Sequence, residues 1–133
     1  MYLLDTNICI YIINKNPQNM VKKICNLSPQ DVKISSITVA ELEYGASKSS
    51  RRDQNRTALY NFFSAFEIIS FDARDAEIYG MIRTELECQG KLTGPYDLQL
   101  AAQALARNLI LVSNNTAEFK RIPKLRLENW SGR

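Results

Sequence analysis

The chain has 133 residues, a length that predicts one domain over residues 1–133 with a hydrophobic core that needs no disulfide staples. Apolar residues make up 45% and charged residues 23%, as in soluble globular proteins, and the formal net charge of +3 is compatible with an RNA partner without requiring one. No apolar run approaches the roughly 18 residues that span a bilayer, and the opening MYLLD lacks the basic start of a signal peptide, so we expect a cytoplasmic protein without membrane association.

Histidine is absent from the whole sequence, which restricts the available chemistry. Its absence excludes Ser-His-Asp and Cys-His nucleophiles, His-ligated zinc and imidazole-based cleavage of RNA. The three cysteines, Cys9, Cys25 and Cys88, are odd in number and widely spaced, so they predict free thiols rather than disulfides or a zinc knuckle. If the protein is a hydrolase, carboxylates and a metal ion are the chemistry that remains.

Strand-like and helix-like segments alternate along the chain. The predicted strands are residues 2–4, 32–37, 68–71 and 109–112, with a last edge strand at 125–127. The predicted helices are residues 8–13, 17–27, 38–45, a helix ending near 66, 73–89 closed by Gly90, and one that begins at Asp97. This alternation predicts a three-layer α/β/α sandwich around a mostly parallel sheet.

Residues that follow the predicted strands carry the candidate chemistry, because open parallel sheets bind ligands at the carboxyl ends of their strands. These positions are Asp5, residues 36–41 with Glu41, Asp72, and residues 113–115, and Asp97 heads the helix before the last of these strands. Acids that converge at one edge repel each other unless a cation offsets their charge. Mg²⁺ and Mn²⁺ prefer oxygen ligands, so the pattern predicts a metal-binding α/β domain.

Each of these acids also has a purely structural interpretation. Asp5 and Asp97 stand where helix N-caps are common. Glu41 has the spacing of a capping box that begins at Thr38, and the helical wheel does not separate it from Glu43. Glu41 shares a helix face with Gly45, where the missing side chain leaves room for a substrate, and this favours Glu41.

Six segments, in order along the chain, resemble the sequence blocks of PIN domains, and of VapC toxins in particular. They are residues 3–8 (LLDTNI), 34–45 (ISSITVAELEYG), 79–90 (YGMIRTELECQG), 94–104 (GPYDLQLAAQA), 111–119 (LVSNNTAEF) and 127–130 (LENW). The resemblance implies a PIN fold and a Mg²⁺- or Mn²⁺-dependent endoribonuclease. It carries the catalytic and metal-binding acids onto Asp5, Glu41 and Asp97, with Thr6 and Asn7 as supporting residues.

One position departs from the PIN pattern. Many PIN domains have a fourth acid after the last strand, whereas this chain has Asn115 there and Glu118 three residues later. A neutral amide attracts a cation weakly, so either one metal is held or Glu118 serves as the fourth catalytic acid, directly or through water. Ser113 either positions a water or ligand, or satisfies backbone groups at the strand end.

Two clusters of Lys and Arg could bind along the phosphate backbone of a nucleic acid, although each is equally explained as solvated surface. The first, a candidate RNA-binding set, contains Lys48, Arg51, Arg52 and Arg56, and the second contains Lys120, Arg121, Lys124 and Arg126. The resemblance further implies an RNA substrate, with the anticodon stem-loop of initiator tRNA as the specific candidate. It also implies a cognate VapB-type antitoxin and a homodimer.

Two other functions fit parts of the sequence. Haloacid-dehalogenase-like phosphatases also place Asp after their first strand, but their Asp-x-Asp motif needs a second acid where this chain has Asn7. A non-catalytic nucleic-acid or protein-binding module on a PIN fold would be favoured by the loss of Asp5 or Asp97, and both are present.

Overall fold

Five strands form the central sheet of the computed structural model, which describes residues 1–15 and 18–130. They are β1 (Tyr2–Leu4), β2 (Val32–Ser35), β3 (Glu67–Ile69), β4 (Ile110–Val112) and β5 (Leu127–Glu128). Their order is β3-β2-β1-β4-β5, and every neighbouring pair is parallel. In this register Leu4 lies between Ile34 of β2 and Val112 of β4.

The helices pack on both faces of this sheet, so the predicted three-layer α/β/α architecture is confirmed, with a sheet that is parallel throughout its described strands. They are α1 (Thr6–Ile13), α2 (Gln18–Cys25), α3 (Ser36–Ser47), α4 (Arg52–Phe63), α5 (Ala73–Cys88), α6 (Pro95–Ala106) and α7 (Thr116–Phe119), and a turn of 3-10 helix, Pro29–Asp31, precedes β2. Of the helices in the described ranges, none combines the length and apolar character needed to cross a bilayer.

Two apolar clusters cover the faces of the sheet because successive strand residues point to opposite sides. Leu3 and Leu111 belong to the cluster under α5, α6 and α7, with Leu86, Leu98 and Phe119. On the other face Leu4 and Val112 join the apolar residues of α1 to α4, including Ile8, Met20, Ile34 and Leu42. Burial on both faces explains why the central strands read as continuous apolar runs rather than as alternating ones.

The strand order places the crevice of the molecule. From β1 the chain moves outward to β2 and β3 on one side, and later returns to β4 and β5 on the other. The carboxyl ends of β1 and β4 therefore lie side by side where the strand order reverses, and Asp5 N donates to Val112 O at 3.0 Å. Open α/β sheets form their ligand crevice at such a point.

The start of α3 differs from its prediction. β2 ends at Ser35, whose side chain accepts a hydrogen bond from Ile37 N at 3.1 Å and so caps a helix that begins at Ser36. Thr38, predicted as the cap, is buried inside the first turn, and the capping-box interpretation of Glu41 was wrong. The helix also continues through Gly45 to Ser47, where the sequence predicted a break.

Other boundaries move by a few residues. α6 begins at Pro95 with Gly94 as its N-cap, so Asp97 is its third residue and the predicted cap at Asp97 was wrong. The end of α5 is as predicted: Gly90 has φ +67° and Lys91 N donates to Leu86 O at 2.9 Å. The predicted start of the second helix at Pro17 lies outside the described residues. All three cysteines are free, as expected.

A buried ion pair joins the ends of β3, α5 and α6. Asp75 is fully buried, and its Oδ2 accepts a hydrogen bond from Asp72 N at 2.9 Å in a capping box that opens α5. Arg107, the C-cap of α6, places Nη2 at 3.1 Å from both Asp72 and Asp75 and donates to Ser70 O at 2.9 Å. Asp72, one of the acids after a predicted strand, therefore has a structural role.

Candidate active site

Asp5 lies at the carboxyl end of β1 and is 4% exposed. Its Oδ1 accepts a hydrogen bond from Ile8 N at 2.9 Å, so it does cap α1. The Ser113 hydroxyl also donates to this carboxylate. Burial raises the pKa of Asp5, the hydrogen bonds from Ser113 and Ile8 oppose that rise, and the charge of Glu41 adds to it. The cap therefore accounts for one oxygen but leaves a buried carboxylate beside a second acid.

Glu41 faces the end of β1 from α3. Thr6 Oγ1, in the first turn of α1, donates to Glu41 Oε1 at 2.7 Å and lies 3.4 Å from Thr38 Oγ1. Thr38 was not among the predicted site residues, although it sits one helical turn before Glu41 on the same face. Glu43 instead extends towards Arg56, 4.0 Å away at the surface. Of these two glutamates, which the helical wheel does not separate, Glu41 is therefore the one that lies at the end of β1.

Asp97 approaches the same edge from the first turn of α6. Burial raises its pKa to about 6, with further contributions from the charge of Glu118, a hydrogen bond to Glu118, and the charges of Asp5 and Glu41. These interactions place Asp97 within electrostatic reach of all three other acids. Because Gly94 is the N-cap of α6, helix capping does not explain Asp97.

Glu118 is held by the residue that departs from the PIN pattern. Asn115 Nδ2 donates to Glu118 Oε2 at 2.6 Å, and Asn115 N donates to Ser113 Oγ at 2.9 Å. Ser113 therefore satisfies a backbone N–H at the strand end, which is one of the two roles considered for it, and its hydroxyl also contacts Asp5. A role in positioning a water or ligand stays a prediction. Asn115 orients a carboxylate that lies beside Asp97.

Asp5, Glu41, Asp97 and Glu118 form what we call the acidic cluster. Among the ion pairs of residues 1–15 and 18–130, none includes any of these four acids, so their charge is not neutralised by a cationic side chain. In the same residues no three metal-binding side chains are packed closely enough to form a finished ligand shell. The acids nevertheless raise the pKa of Asp97, as like charges do when no cation separates them. All four offer carboxylate oxygen, the donor type that suits Mg²⁺ or Mn²⁺.

The remaining predicted site residues lie at the surface. Asn7 is exposed in the first turn of α1. The candidate RNA-binding set is exposed around the end of α3 and the start of α4, at Lys48, Arg51, Arg52 and Arg56. In the second basic cluster, Arg126 Nη2 bonds to Asn108 Oδ1 at 3.0 Å, which is a structural use of that charge. A role in RNA binding stays a prediction for both clusters.

Known proteins are similar to this chain over almost its full length. Residues 2–125 match the PIN domain family. Ribonuclease VapC2 of Rickettsia felis is 50% identical over 131 residues, 98% of each chain. The tRNA(fMet)-specific endonuclease VapC of Shigella flexneri is 43% identical over 130 residues, again 98% of each.

Solved structures agree with this assignment. The crystal structure of VapBC2 from Rickettsia felis bound to a promoter DNA fragment matches with a TM-score of 0.91 at 49% identity, over 97% of this chain and 98% of that one. DNA-bound VapBC from Salmonella typhimurium gives a TM-score of 0.92 at 40% identity over 97% of each chain. A non-catalytic module is not favoured, because the relatives are named as nucleases. The chain belongs to the PIN-domain family and, within it, to the VapC ribonucleases.

Proposed function

We propose that this endoribonuclease is the toxin of a toxin–antitoxin pair and hydrolyses an RNA phosphodiester bond at the acidic cluster. The observation that carries the proposal is the convergence of Asp5, Glu41, Asp97 and Glu118, from four separate elements, at the edge where β1 and β4 end. Relatives from Shigella flexneri and Salmonella typhimurium are named tRNA(fMet)-specific endonucleases. We therefore take initiator tRNA as the substrate.

The donor set fits a divalent cation, with Asp5, Glu41 and Asp97 as its ligands and Glu118 as a further acid. A bound Mg²⁺ or Mn²⁺ supplies charge neutralisation for the phosphate and lowers the pKa of a water. The protein's own residues orient the acids: Thr6 holds Glu41, Ser113 holds Asp5 and Asn115 holds Glu118. In the metal-free protein, burial and the neighbouring acids raise the pKa of Asp97 to about 6, and Asp97 shares a hydrogen bond with Glu118.

Cleavage of initiator tRNA is expected to require a divalent metal. The purified protein is incubated with initiator tRNA, and separately with elongator methionine tRNA, in Mg²⁺, Mn²⁺ or EDTA. An Asp5→Asn protein purified in the same way controls for contaminating ribonucleases, because Asn retains the cap of α1 but removes the charge. Undiminished cleavage in EDTA would contradict the proposed mechanism. Equal cleavage of both tRNAs would contradict the substrate alone.

Glu118 is expected to matter more than Asn115. Glu118→Gln keeps an oxygen that can accept the Asn115 amide, yet it removes the charge that attracts a cation. We expect about a tenfold loss in cleavage rate and a higher metal concentration at half-maximal activity, whereas Asn115→Ala should cost about threefold. The measurement is the cleavage rate over a metal titration. A fully active Glu118→Gln protein would show that Glu118 is only a surface acid.

The partner that we propose is a VapB-type antitoxin, since the related structures from Rickettsia felis and Salmonella typhimurium are VapBC complexes. An arginine of the antitoxin would suit the acidic cluster, because guanidinium binds carboxylates through two parallel hydrogen bonds. Co-expression with the adjacent open reading frame should give a complex that co-purifies and restores growth. Toxicity that no neighbouring frame relieves would count against this partner.

A further inference from the structure

A groove beside the acidic cluster is open to solvent and lined by aromatic rings. It lies between α3 and α6, has a volume of about 350 Å³, and is lined by Ile37, Ala40, Glu41, Tyr44 and Tyr96. This volume is in the range of small-ligand sites, ~300–1,000 Å³. Glu41 belongs both to the groove and to the acidic cluster, and Tyr96 directly precedes Asp97. The groove therefore begins where the cluster ends.

The two tyrosines at this groove are unusually exposed for aromatic residues. Tyr44 is 66% exposed and Tyr96 is 58% exposed. Within residues 1–15 and 18–130 neither hydroxyl has a hydrogen-bond partner, and neither ring packs against another aromatic ring. The rings thus contribute little to the core, since more than half of each residue is exposed to water. Exposed aromatic side chains are the groups on which unpaired nucleobases stack.

A positive charge accompanies one of these rings. Lys48 Nζ lies 4.7 Å from the centroid of the Tyr44 ring, at the C-terminal end of α3. A stacked nucleotide presents an apolar base and an anionic phosphate, and a ring beside an ammonium group matches both. The carboxylates of the acidic cluster would repel phosphate, so a second source of binding energy for RNA is needed close to them.

We propose that Tyr44 and Tyr96 form a stacking platform for an unpaired nucleobase next to the scissile phosphate. The platform selects RNA loops over duplex RNA, because a paired base is not free to enter the groove. This inference rests on the proposed function, since it takes the acidic cluster as the point of cleavage. It goes further by assigning a specificity-determining role to two residues outside the cluster.

Tyr44→Leu and Tyr96→Leu are each expected to lower kcat/KM for loop RNA by about tenfold, because stacking one base on an aromatic side chain contributes ~1–3 kcal/mol. Tyr44→Phe and Tyr96→Phe should stay within about twofold, since the ring alone is sufficient. Tyr60→Leu is the matched control, because Tyr60 is 75% exposed on α4 and does not line this groove. Leucine variants that cleave like Tyr60→Leu would overturn the proposal.

A fluorescence measurement separates stacking from other roles. Loop RNAs carrying 2-aminopurine at each loop purine in turn are titrated with the Asp5→Asn protein. We expect quenching of the 2-aminopurine fluorescence at one position. The quenching should disappear when Tyr44→Leu or Tyr96→Leu is combined with Asp5→Asn in the same protein, and should persist when the tyrosine is replaced by Phe. If no position is quenched, the stacking platform is wrong. It is also wrong if the leucine variants lose activity together with a change in sedimentation coefficient, because the tyrosines would then form a contact between subunits. If the unsubstituted protein fails to cleave RNA, the proposed function fails while the quenching still decides this inference.

Discussion

Asp97→Asn is expected to keep the fold of the protein and to lower RNA cleavage by at least about a hundredfold. Asparagine has nearly the same shape as aspartate, and because Gly94 caps α6, no helix cap is lost. What disappears is one negative charge of the acidic cluster, and a hundredfold corresponds to about 2.7 kcal/mol of transition-state stabilisation. The measurement is the single-turnover cleavage rate on a defined tRNA, with Glu43→Gln as a control on α3, because Glu43 faces Arg56 rather than the acidic cluster.

The same variant is expected to unfold at a higher urea concentration than the unsubstituted protein when metal is removed. Asp97 has a pKa of about 6 in the folded protein against 3.8 for a free aspartate, so folding favours its protonated form. The stability that this carboxyl contributes is therefore present at low pH and is lost as pH rises through about 6. Since Asp97 is about half exposed, solvent screening limits the difference above that pH to about 1 kcal/mol.

Unfolding in EDTA at about pH 4 and about pH 8 tests this sign. The advantage of Asp97→Asn should appear at the higher pH and vanish at the lower one. A metal at 100 times its dissociation constant should stabilise the unsubstituted protein by about 2.7 kcal/mol and the variant by less. A folded Asp97→Asn protein that cleaves at the unsubstituted rate, with no pH-dependent gain in stability, would show that Asp97 has no part in the site.

Arg107→Met is expected to destabilise the protein by about 3 kcal/mol, because it leaves the fully buried Asp75 without its cation. Methionine preserves most of the apolar stem of arginine, so the loss reports the charge and its hydrogen bonds. The measurement is urea unfolding at neutral pH. The double variant Asp75→Asn/Arg107→Met should recover part of the lost stability, since it removes the unpaired charge as well.

Arg83→Met provides the comparison for Arg107→Met. Arg83 forms an exposed pair with Glu87 one helical turn away, at 3.0 Å, and such pairs contribute about 0.3–0.5 kcal/mol. Burial is thus the main difference between the two arginines. Equal unfolding midpoints for the two variants would contradict the assignment of Arg107 as the support of β3, α5 and α6.

The architecture was predictable because its signals are local. Continuous apolar runs such as residues 109–112 indicate strands buried on both faces, and the residue after each run marks the edge where ligands bind. Asp5 and the segment 36–41, which contains Glu41, were indicated in this way. The start of α6 was misplaced because Asp97 is a good cap by type, whereas Pro95 is favoured in the first helical position and lets Gly94 take the cap.

Other features depend on residues far apart in the chain. Asp75 and Arg107 are 32 residues apart, and nothing near either one signals a buried pair. Ser35 rather than Thr38 caps α3 because β2 ends at Ser35, and the pairing of β2 with β1 and β3 sets that end. The roles of Thr6 and Asn115 in orienting Glu41 and Glu118 likewise require side-chain positions, which composition and periodicity do not contain.

The order of the strands determines when the acidic cluster can assemble during translation. β1 leaves the ribosome first, yet β4, its neighbour on one side, is among the last strands to be translated. A nascent chain that stops before Ile110 lacks β4, Ser113 and Glu118, and cannot close the sheet around Asp5. Domains fold as units, so the polypeptide carries no assembled nuclease while it is still being translated. Assembly of the acidic cluster therefore waits for residues that are translated late, namely β4 and Glu118.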